Sequence, residues 1–216
     1  MTENTAKTDS LYNNPPVTGA IYKVIKGGFD VMFSLVVITL SLPLAAAVAA
    51  AVKLSSPGPV FFRQQRTGYR GTPFTLYKFR TMTMNSGADS VAATPDDVRI
   101  TPVGRFLRHT SIDELPQFIN VLRGDMSVVG PRPHMLSQTE QYRRLIDRYM
   151  MRHHMKPGIT GWAQINGCRG CADTLEQMER RVEHDVWYIQ HCNFPLDLKI
   201  IGRTVINILR GDPNAY

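Results

Sequence analysis

One uncharged apolar segment, residues 31–52, constrains this chain more than any other feature. It is about as long as a membrane-spanning helix, which needs roughly 20 apolar residues. Pro43 lies near its middle, where a proline removes a backbone donor and bends a helix. The segment therefore predicts a membrane-embedded helix kinked at Pro43, with Ser41 or Thr39 as a local partner for the freed backbone.

Positive charge flanks this segment on both sides, at Lys23 and Lys26 before it and at Lys53, Arg63 and Arg66 after it. Lysine and arginine favour the cytoplasmic side of a membrane. Basic residues at both ends predict a re-entrant helix that enters the membrane, bends at Pro43 and returns to the same side. Two alternatives remain open, an ordinary single-span anchor and the buried core helix of a soluble protein.

The bulk composition limits the classes of protein. The 216 residues fit one domain, or one domain plus an appendage, and the odd number of cysteines, three, argues against a secreted disulfide framework. The net charge of +7 fits nucleic acid, anionic lipid or a phosphorylated substrate as partner. We predict a disordered tail over residues 1–20, a re-entrant membrane helix over 21–55 and a domain on the cytoplasmic face over 56–216.

Turn signals and periodicity divide the rest of the chain. Residues 60–62 and 74–77 are typical of short strands joined in a β-hairpin, and residues 85–97 of a loop. Thr101 followed by Pro102 predicts a helix that carries Arg105 and Arg108 on one face. Further helices are predicted over residues 113–124, 136–152, 173–190 and 196–209, the last one amphipathic and suited to a core or to a membrane interface.

Asp113 and Glu114 are the strongest candidates for chemistry. We expect them in the first turn of a helix, where neighbouring side chains point about 100° apart, so a division of labour is natural. One carboxylate could be a nucleophile while the other binds a metal ion. The alternative is structural, because Ser111-x-x-Glu114 is also a good capping box.

A carboxylate can attack a phosphate only if the negative charge of the phosphate is neutralised. The candidate phosphate ligands are Lys78, Arg80, Arg105, Arg108 and Arg132. Pro131 and Pro133 stiffen the backbone on either side of Arg132. Arg143, Arg144 and Arg148 are interpreted as solvated surface charges.

The order of the motifs resembles the bacterial sugar transferases, the small monotopic polyprenyl-phosphate phosphoglycosyl transferases. The matching motifs are Phe61-Phe62-Arg63-Gln64, residues 77–82, Ser111-Ile112-Asp113-Glu114-Leu115-Pro116-Gln117, residues 124–133 and residues 156–164. The similarity runs from about residue 22 to residue 209. It implies an α/β, mostly helical, monotopic membrane protein with a kinked re-entrant helix, a short β-hairpin and surface amphipathic helices. The catalytic domain would face the cytoplasm at the bacterial inner membrane.

The resemblance also implies roles for individual residues. Asp113 matches a nucleophile that attacks the sugar-linked phosphate of a UDP-sugar, releases UMP and forms an aspartyl-phosphosugar intermediate, from which undecaprenyl phosphate takes the phosphosugar. Glu114 matches a Mg²⁺ ligand. The matches to positions near the phosphates or the nucleotide are Lys78, Arg108, Arg132 and Asp185. One departure is that family members often have Ser-Pro at the kink, whereas Leu42 precedes Pro43 here.

The sugar donor follows from a shorter segment. Residues 167–175, together with Met178 and Arg181, resemble the glucose-1-phosphate-transferring members, so UDP-glucose is the expected donor, with UDP-galactose or an N-acetylated UDP-sugar as alternatives. The expected product starts an exopolysaccharide, a capsule or O-antigen. Membrane lipids are expected partners, and downstream glycosyltransferases and a second copy of the chain are further candidates. Nucleic acid is not expected.

Other classes of protein compete with this interpretation. Cys168-x-x-Cys171 followed by His184 suggests a zinc site, although no strand–strand–helix pattern surrounds it. A membrane-anchored basic binding module would use the charge of +7 without needing Asp113. In a structural scaffold, the two carboxylates would only cap a helix.

Overall fold

A long helix runs beside a mostly helical body that contains two small sheets; the computed structural model describes residues 19–84, 97–170, 172 and 174–211. The α-helices of the described residues are α1 (Ala20–Ser55), α2 (Pro102–Thr110), α3 (Gln117–Leu122), α4 (Leu136–Tyr142), α5 (Trp162–Ile165), α6 (Leu175–His191) and α7 (Phe194–Arg210). Their strands are β1 (Phe61–Thr67), β2 (Pro73–Phe79), β3 (Ser127–Val129) and β4 (Gly158–Thr160), and 3₁₀ helices cover Tyr69–Gly71, Ile112–Glu114 and Tyr149–His154.

Helix α1 contains the predicted apolar segment and is long and apolar enough to cross a membrane. It is helical through Pro43, whose missing N–H leaves the Thr39 carbonyl without its helical donor. The Ser41 hydroxyl donates to the neighbouring carbonyl of Ile38 instead, at 3.2 Å. The predicted local partner is therefore displaced by one residue, and the kink and the re-entry stay predictions.

The first half of α1 packs on the body through a polar stripe. Lys26, Asp30 and Ser34 are buried at intervals of four residues, on one face of the helix. The Lys26 ammonium lies 3.1 Å from Asp197 Oδ2 in α7, and Asp30 Oδ1 accepts a hydrogen bond from the Val128 N–H in β3. The basic charge of Lys26 is thus used inside the protein and does not flank the membrane segment.

The last turns of α1 pack on the same body through an apolar cluster. Val48 and Val52 are buried against Phe79 of β2 and Leu107 of α2. Between the two attachment regions, the outward face exposes large apolar side chains, among them Leu40 at 77% and Leu42 at 58% of their surface. Both ends of α1 are therefore anchored to one body, while its apolar face points away from it.

The predicted β-hairpin is present and longer than predicted. Strands β1 and β2 are antiparallel and pair from Phe61 opposite Phe79 to Thr67 opposite Pro73. A second sheet, the parallel pair β3 and β4, was not predicted, because strands of three residues are too short to show an alternating pattern. A core that includes Leu76, Val129 and Ile200 joins β2, β3 and α7.

Three predicted helices match the structure. Helix α2 begins after Thr101, whose side chain accepts a hydrogen bond from the Gly104 N–H at 2.9 Å. Helix α6 begins after Thr174, although the predicted start at Asp173 lies outside the described residues. Helix α7 contains the predicted residues 196–209. The predicted tail lies almost entirely, and the loop mostly, outside the described residues, which leave out 1–18 and 85–96.

Two helix predictions were wrong in extent. The helix predicted over residues 113–124 is a 3₁₀ turn followed by α3, because Pro116 at the junction lacks the N–H that a continuous helix needs. The helix predicted over residues 136–152 ends at Tyr142. The chain then enters the 3₁₀ helix Tyr149–His154 through Arg148, which has a left-handed φ of 63°.

Candidate active site

Asp113 and Glu114 lie in the 3₁₀ turn between α2 and α3, opposite Lys78 of β2. Helix α2 ends at Thr110, and Ser111, which follows it, has a left-handed φ of 59°. Asp113 is 6% exposed. Lys78 Nζ lies 2.7 Å from Glu114 Oε1 and 3.8 Å from Asp113 Oδ2, so one ammonium group contacts both carboxylates.

Arg132 brings a second cation to Glu114. Its Nη2 lies 3.1 Å from Glu114 Oε1, the same oxygen that Lys78 contacts. Arg108 approaches from α2, where its Nε donates to Thr81 Oγ1 at 2.9 Å. Its charge acts on Asp113 against the burial that raises the pKa of that carboxyl. The structure therefore brings together five predicted site residues in one cluster: Lys78, Arg108, Asp113, Glu114 and Arg132.

The two adjacent carboxylates have opposite electrostatic environments. Burial raises the pKa of Asp113 above its ordinary value, against the opposing attraction of Lys78, and the charge of Glu114 raises it further. Burial also acts on Glu114, but Lys78 and Arg132 outweigh it and hold the pKa of that carboxyl well below its ordinary value. The predicted division of labour thus has a physical basis in this geometry.

The capping-box alternative for Glu114 is not supported by the local structure. The Ser111 side chain makes no capping hydrogen bond to the turn that follows it. Its hydroxyl instead accepts a hydrogen bond from the Arg169 guanidinium. The Glu114 carboxylate contacts Lys78 and Arg132, so its position is explained by the cationic cluster.

Three predicted site residues lie apart from this cluster. Arg105 is exposed on α2. Arg80 is buried and donates to the backbone carbonyls of Val52, Ser56 and Pro57, which ties the end of α1 to the hairpin. Asp185 is buried in α6, where its Oδ2 lies 2.6 Å from Arg152 Nη2. These contacts give Arg80 and Asp185 a structural role, and a role in substrate binding stays a prediction.

The sequence interpretation missed Arg152, which supports the cluster from behind. It is 2% exposed and pairs with Asp185, and its Nη2 also donates to the backbone carbonyl of Arg132 at 2.8 Å. The Arg152 guanidinium therefore holds the backbone of Arg132, whose side chain contacts Glu114. Only its place within an apolar run of Tyr and Met residues could have indicated that it is buried.

The glycines of two motifs allow the backbone beside Arg132 to be held at close range. An added Cβ at Gly158 would lie 2.1 Å from the Gly130 nitrogen, and one at Gly130 would lie 2.4 Å from the Lys156 carbonyl oxygen. The pairing is closed by a 2.9 Å hydrogen bond from the Gly158 N–H to the Pro131 carbonyl. The motifs at 124–133 and 156–164 thus form one backbone unit that positions Arg132.

The donor set of the site fits a magnesium ion. Lys78 and Arg132 both donate to Glu114 Oε1, which leaves the carboxylate of Glu114 oriented by two cations. Mg²⁺ is usually held by one or two carboxylates together with substrate phosphates. The described part of the chain contains no group of three or more His, Cys, Asp or Glu side chains that could hold a metal by itself, and magnesium at Glu114 stays a prediction.

The predicted zinc alternative receives no support from the described residues. Cys168 and Cys192 are free thiols, and Cys171 lies outside the described residues. Arg143 and Arg144, interpreted as surface charges, pair with the exposed Glu140.

The fold and the site together define a class of protein. It has a long apolar helix attached to a body whose carboxylate–cation cluster suits phosphate chemistry.

Sequence comparison identifies the family. Residues 21–211 match the family model described as bacterial sugar transferase, and the chain belongs to that family. This confirms the family resemblance of the motifs.

Several relatives are undecaprenyl-phosphate sugar-phosphate transferases by name. The chain is 52% identical over 196 residues to a UDP-glucose:undecaprenyl-phosphate glucose-1-phosphate transferase of Escherichia coli (strain K12), covering 90% of this chain and 42% of that protein. It is 48% identical over 188 residues to a Caulobacter vibrioides protein of the same name, covering 87% of this chain and 70% of that protein.

One relative has a different donor in its name. The UDP-N-acetylgalactosamine-undecaprenyl-phosphate N-acetylgalactosaminephosphotransferase of Aeromonas hydrophila is 42% identical over 209 residues, covering 95% of this chain and 49% of that protein. The chain therefore spans less than half the length of several curated relatives that it matches.

Proposed function

We propose that this chain carries the catalytic centre of a phosphoglycosyl transferase, which moves a sugar-1-phosphate from a UDP-sugar to undecaprenyl phosphate and releases UMP. The observation that carries the proposal is the pair of adjacent carboxylates: Asp113 is buried, and Glu114 forms ion pairs with two cations. The names of the relatives support both substrates.

Asp113 is the proposed nucleophile. One of its carboxylate oxygens attacks the phosphorus that carries the sugar, a new P–O bond forms, and the P–O bond to the UMP phosphate breaks with its electron pair on UMP. A phosphate oxygen of undecaprenyl phosphate then attacks the same phosphorus. The aspartyl P–O bond breaks, Asp113 returns to the carboxylate, and polyprenyl-diphosphate-sugar leaves.

The cations make the approach of two anions feasible. Lys78, Arg108 and Arg132 surround the carboxylates and lower the repulsion between Asp113 and the phosphates. Glu114 would hold Mg²⁺, with Lys78 and Arg132 orienting its carboxylate. When bound, the ion would neutralise charge that develops on the phosphate oxygens.

UDP-glucose is the proposed donor. The relatives from Escherichia coli and Caulobacter vibrioides, both named for UDP-glucose, support this choice. An N-acetylated donor is the second candidate, supported by the Aeromonas hydrophila relative. A place early in the synthesis of an exopolysaccharide, a capsule or O-antigen follows from a lipid-linked sugar product.

The proposed location is the cytoplasmic face of the bacterial inner membrane, with α1 re-entrant in one leaflet. Two observations support this topology. The two ends of α1 are attached to one body, through Lys26 with Asp197 and through Val52 with Phe79. The outward face of α1 between them exposes apolar side chains, which a bilayer would cover.

UMP release in detergent tests the proposal. Purified protein is assayed with undecaprenyl phosphate, Mg²⁺ and a panel of UDP-sugars, beside Asp113→Asn. We expect release with one main donor and none from the variant. Folded wild-type protein that releases no UMP with any donor, but binds DNA in a salt-sensitive way, would instead favour a membrane-anchored basic binding module.

A further inference from the structure

A mostly apolar cavity of about 310 Å³ lies between α1 and α7. Phe33 and Leu44 contribute from α1, and Ile201, Val205 and Ile208 contribute from α7. The three α7 residues are spaced by four and three positions, so they form one face of that helix. The volume of the cavity is at the lower end of the range for small-molecule sites, which is roughly 300–1,000 Å³.

The outer part of this cavity is continuous with the apolar surface of the protein. Val205 is 51% exposed although it lines the cavity, and Leu209, one turn further along α7, is 80% exposed. On the other wall, Leu44 is 44% exposed. Apolar side chains in such positions are unfavourable in water but are favourable in contact with lipid, so the cavity opens toward the proposed membrane layer.

The inner part of the cavity reaches the cationic cluster. Ser111, Glu114 and Arg169 all line it, and the Arg169 guanidinium donates to the Ser111 hydroxyl. Lys78, which bridges Glu114 and Asp113, connects this end to the proposed nucleophile. The cavity therefore has an apolar wall on the membrane side, and at its inner end it has the Arg169 guanidinium beside the Glu114 carboxylate, which Lys78 and Arg132 neutralise from behind. This arrangement complements an anionic head on an apolar chain.

We propose that this cavity binds the head-proximal isoprene units of the acceptor lipid phosphate. The phosphate points toward Arg169 and the carboxylates, and the rest of the chain leaves between α1 and α7 into the bilayer. The proposal rests on the proposed function and adds the site at which the second substrate is held. A single apolar chain suits a mostly apolar cavity of this volume, whereas the polar nucleotide–sugar donor does not.

Filling the cavity from α7 tests this assignment. Val205→Phe places a larger side chain at the cavity wall, and Ile206→Phe makes the same change one position along, at a half-exposed residue that does not line the cavity. Leu44→Phe fills the cavity from the opposite wall. The measurements are the KM for undecaprenyl phosphate and, without any lipid, the exchange of labelled UMP into UDP-glucose, which reports the donor half-reaction alone.

We expect Val205→Phe and Leu44→Phe to raise the acceptor KM by about tenfold, as when roughly two buried methylene groups lose their apolar contact. The exchange should continue in both, because its reactants do not enter the cavity. With a phosphate that carries one isoprene unit as the acceptor, the effect should shrink. Ile206→Phe should match the wild type throughout.

An acceptor KM within twofold of the wild type in both cavity variants would refute the site while leaving the proposed function intact. The same follows if Ile206→Phe raises the KM as strongly as Val205→Phe, because the effect would then come from the helix surface. Wild-type protein without exchange or UMP release would instead overturn the proposed function, and the lipid site with it. A thermal unfolding curve shows that each variant is folded.

Discussion

At the scale of single residues, the site separates two chemically similar groups. Asp113 and Glu114 are neighbours in one turn, yet burial dominates the first and two cations dominate the second. The proposed nucleophile and the proposed metal ligand need different environments, and one 3₁₀ turn supplies both. The difference arises from Lys78 and Arg132, which belong to other segments of the chain.

The raised pKa of Asp113 predicts the acid side of the rate profile. Only the carboxylate can attack phosphorus, so UMP–UDP-glucose exchange should decrease as the pH falls through the pKa of Asp113. The midpoint should lie above the value for an ordinary aspartate, which is about 3.9. Glu114 stays ionised over this range because its pKa is lowered. A profile that stays flat down to about pH 4 would contradict the assignment.

The opposite pKa shifts of Asp113 and Glu114 predict opposite effects of the two carboxylates on stability. Because folding raises the pKa of Asp113, this carboxyl favours the folded state only below its unfolded pKa, and the contribution is lost as the pH rises through the folded pKa. At pH 7, Asp113→Asn should therefore raise the Tm, by roughly 2–4 °C if about 1 kcal/mol is recovered. The gain should shrink toward pH 4.

Glu114→Gln is the matched comparison. Folding lowers the pKa of the Glu114 carboxyl. Its contribution to the stability of the folded state is therefore present above the unfolded pKa and is lost as the pH falls through the folded pKa. The variant should lower the Tm at pH 7. Thermal unfolding in detergent measures both variants, and equal shifts in one direction would refute the opposite environments.

Asp185 offers a test between structural support and substrate binding. Asp185→Asn leaves Arg152 fully buried without its anionic partner, which typically costs about 3–5 kcal/mol. We expect a large decrease in the free energy of unfolding. Glu140→Gln is the control, since it breaks only exposed pairs and should change stability by about 0.5 kcal/mol or less. A stable Asp185→Asn protein with a raised KM for UDP-glucose would favour the nucleotide contact that the family resemblance implies.

At the scale of elements, the short parallel pair β3 and β4 explains why two distant glycine motifs belong together. The pair holds Pro131, next to Arg132, by a backbone hydrogen bond from Gly158. Neither strand is long enough to be stable by itself, and each depends on the core formed with β2 and α7. The position of Arg132, which contacts Glu114, is thus set by backbone packing.

Gly158→Ala tests this unit. The added Cβ would meet backbone atoms, so the strands must separate, at a cost of roughly 1–3 kcal/mol. We expect a lower Tm and, in the folded fraction, a reduced kcat, because Arg132 moves with the strand. Gly202→Ala in α7 is the control, because nothing lies within 4 Å of its added Cβ and alanine favours a helix. If the Gly158→Ala variant has the kcat and Tm of the wild type, close packing at Gly158 does not position Arg132.

At the scale of the whole molecule, the attachment of both ends of α1 to one body predicts the topology. Single cysteines at Lys23 and Lys53, in a protein without its native cysteines, should both react with an impermeant maleimide in inverted membrane vesicles. Neither should react in intact spheroplasts. A single-span anchor would place the two positions on opposite sides, and labelling of only one of them in each preparation would establish it.

Much of the site could be predicted from the sequence. The apolar segment, the helix that starts at Thr101 and the candidate cluster of Lys78, Asp113 and Glu114 follow from residue types, local order and resemblance to a family. The lengths of the helices after residue 110 could not be predicted in the same way. Periodicity does not show where buried polar groups such as Arg152 need a turn rather than a helix.

The local pattern by itself determined the apolar helix, its flanking charge, the hairpin and the position of the paired carboxylates along the chain. These depend on residues that are close in sequence, where hydrophobicity and turn chemistry act directly. The tertiary structure decided which charges meet. It placed Lys78 and Arg132 at Glu114 and kept Arg80 and Asp185 away from it, because contacts between distant segments depend on how a whole core packs.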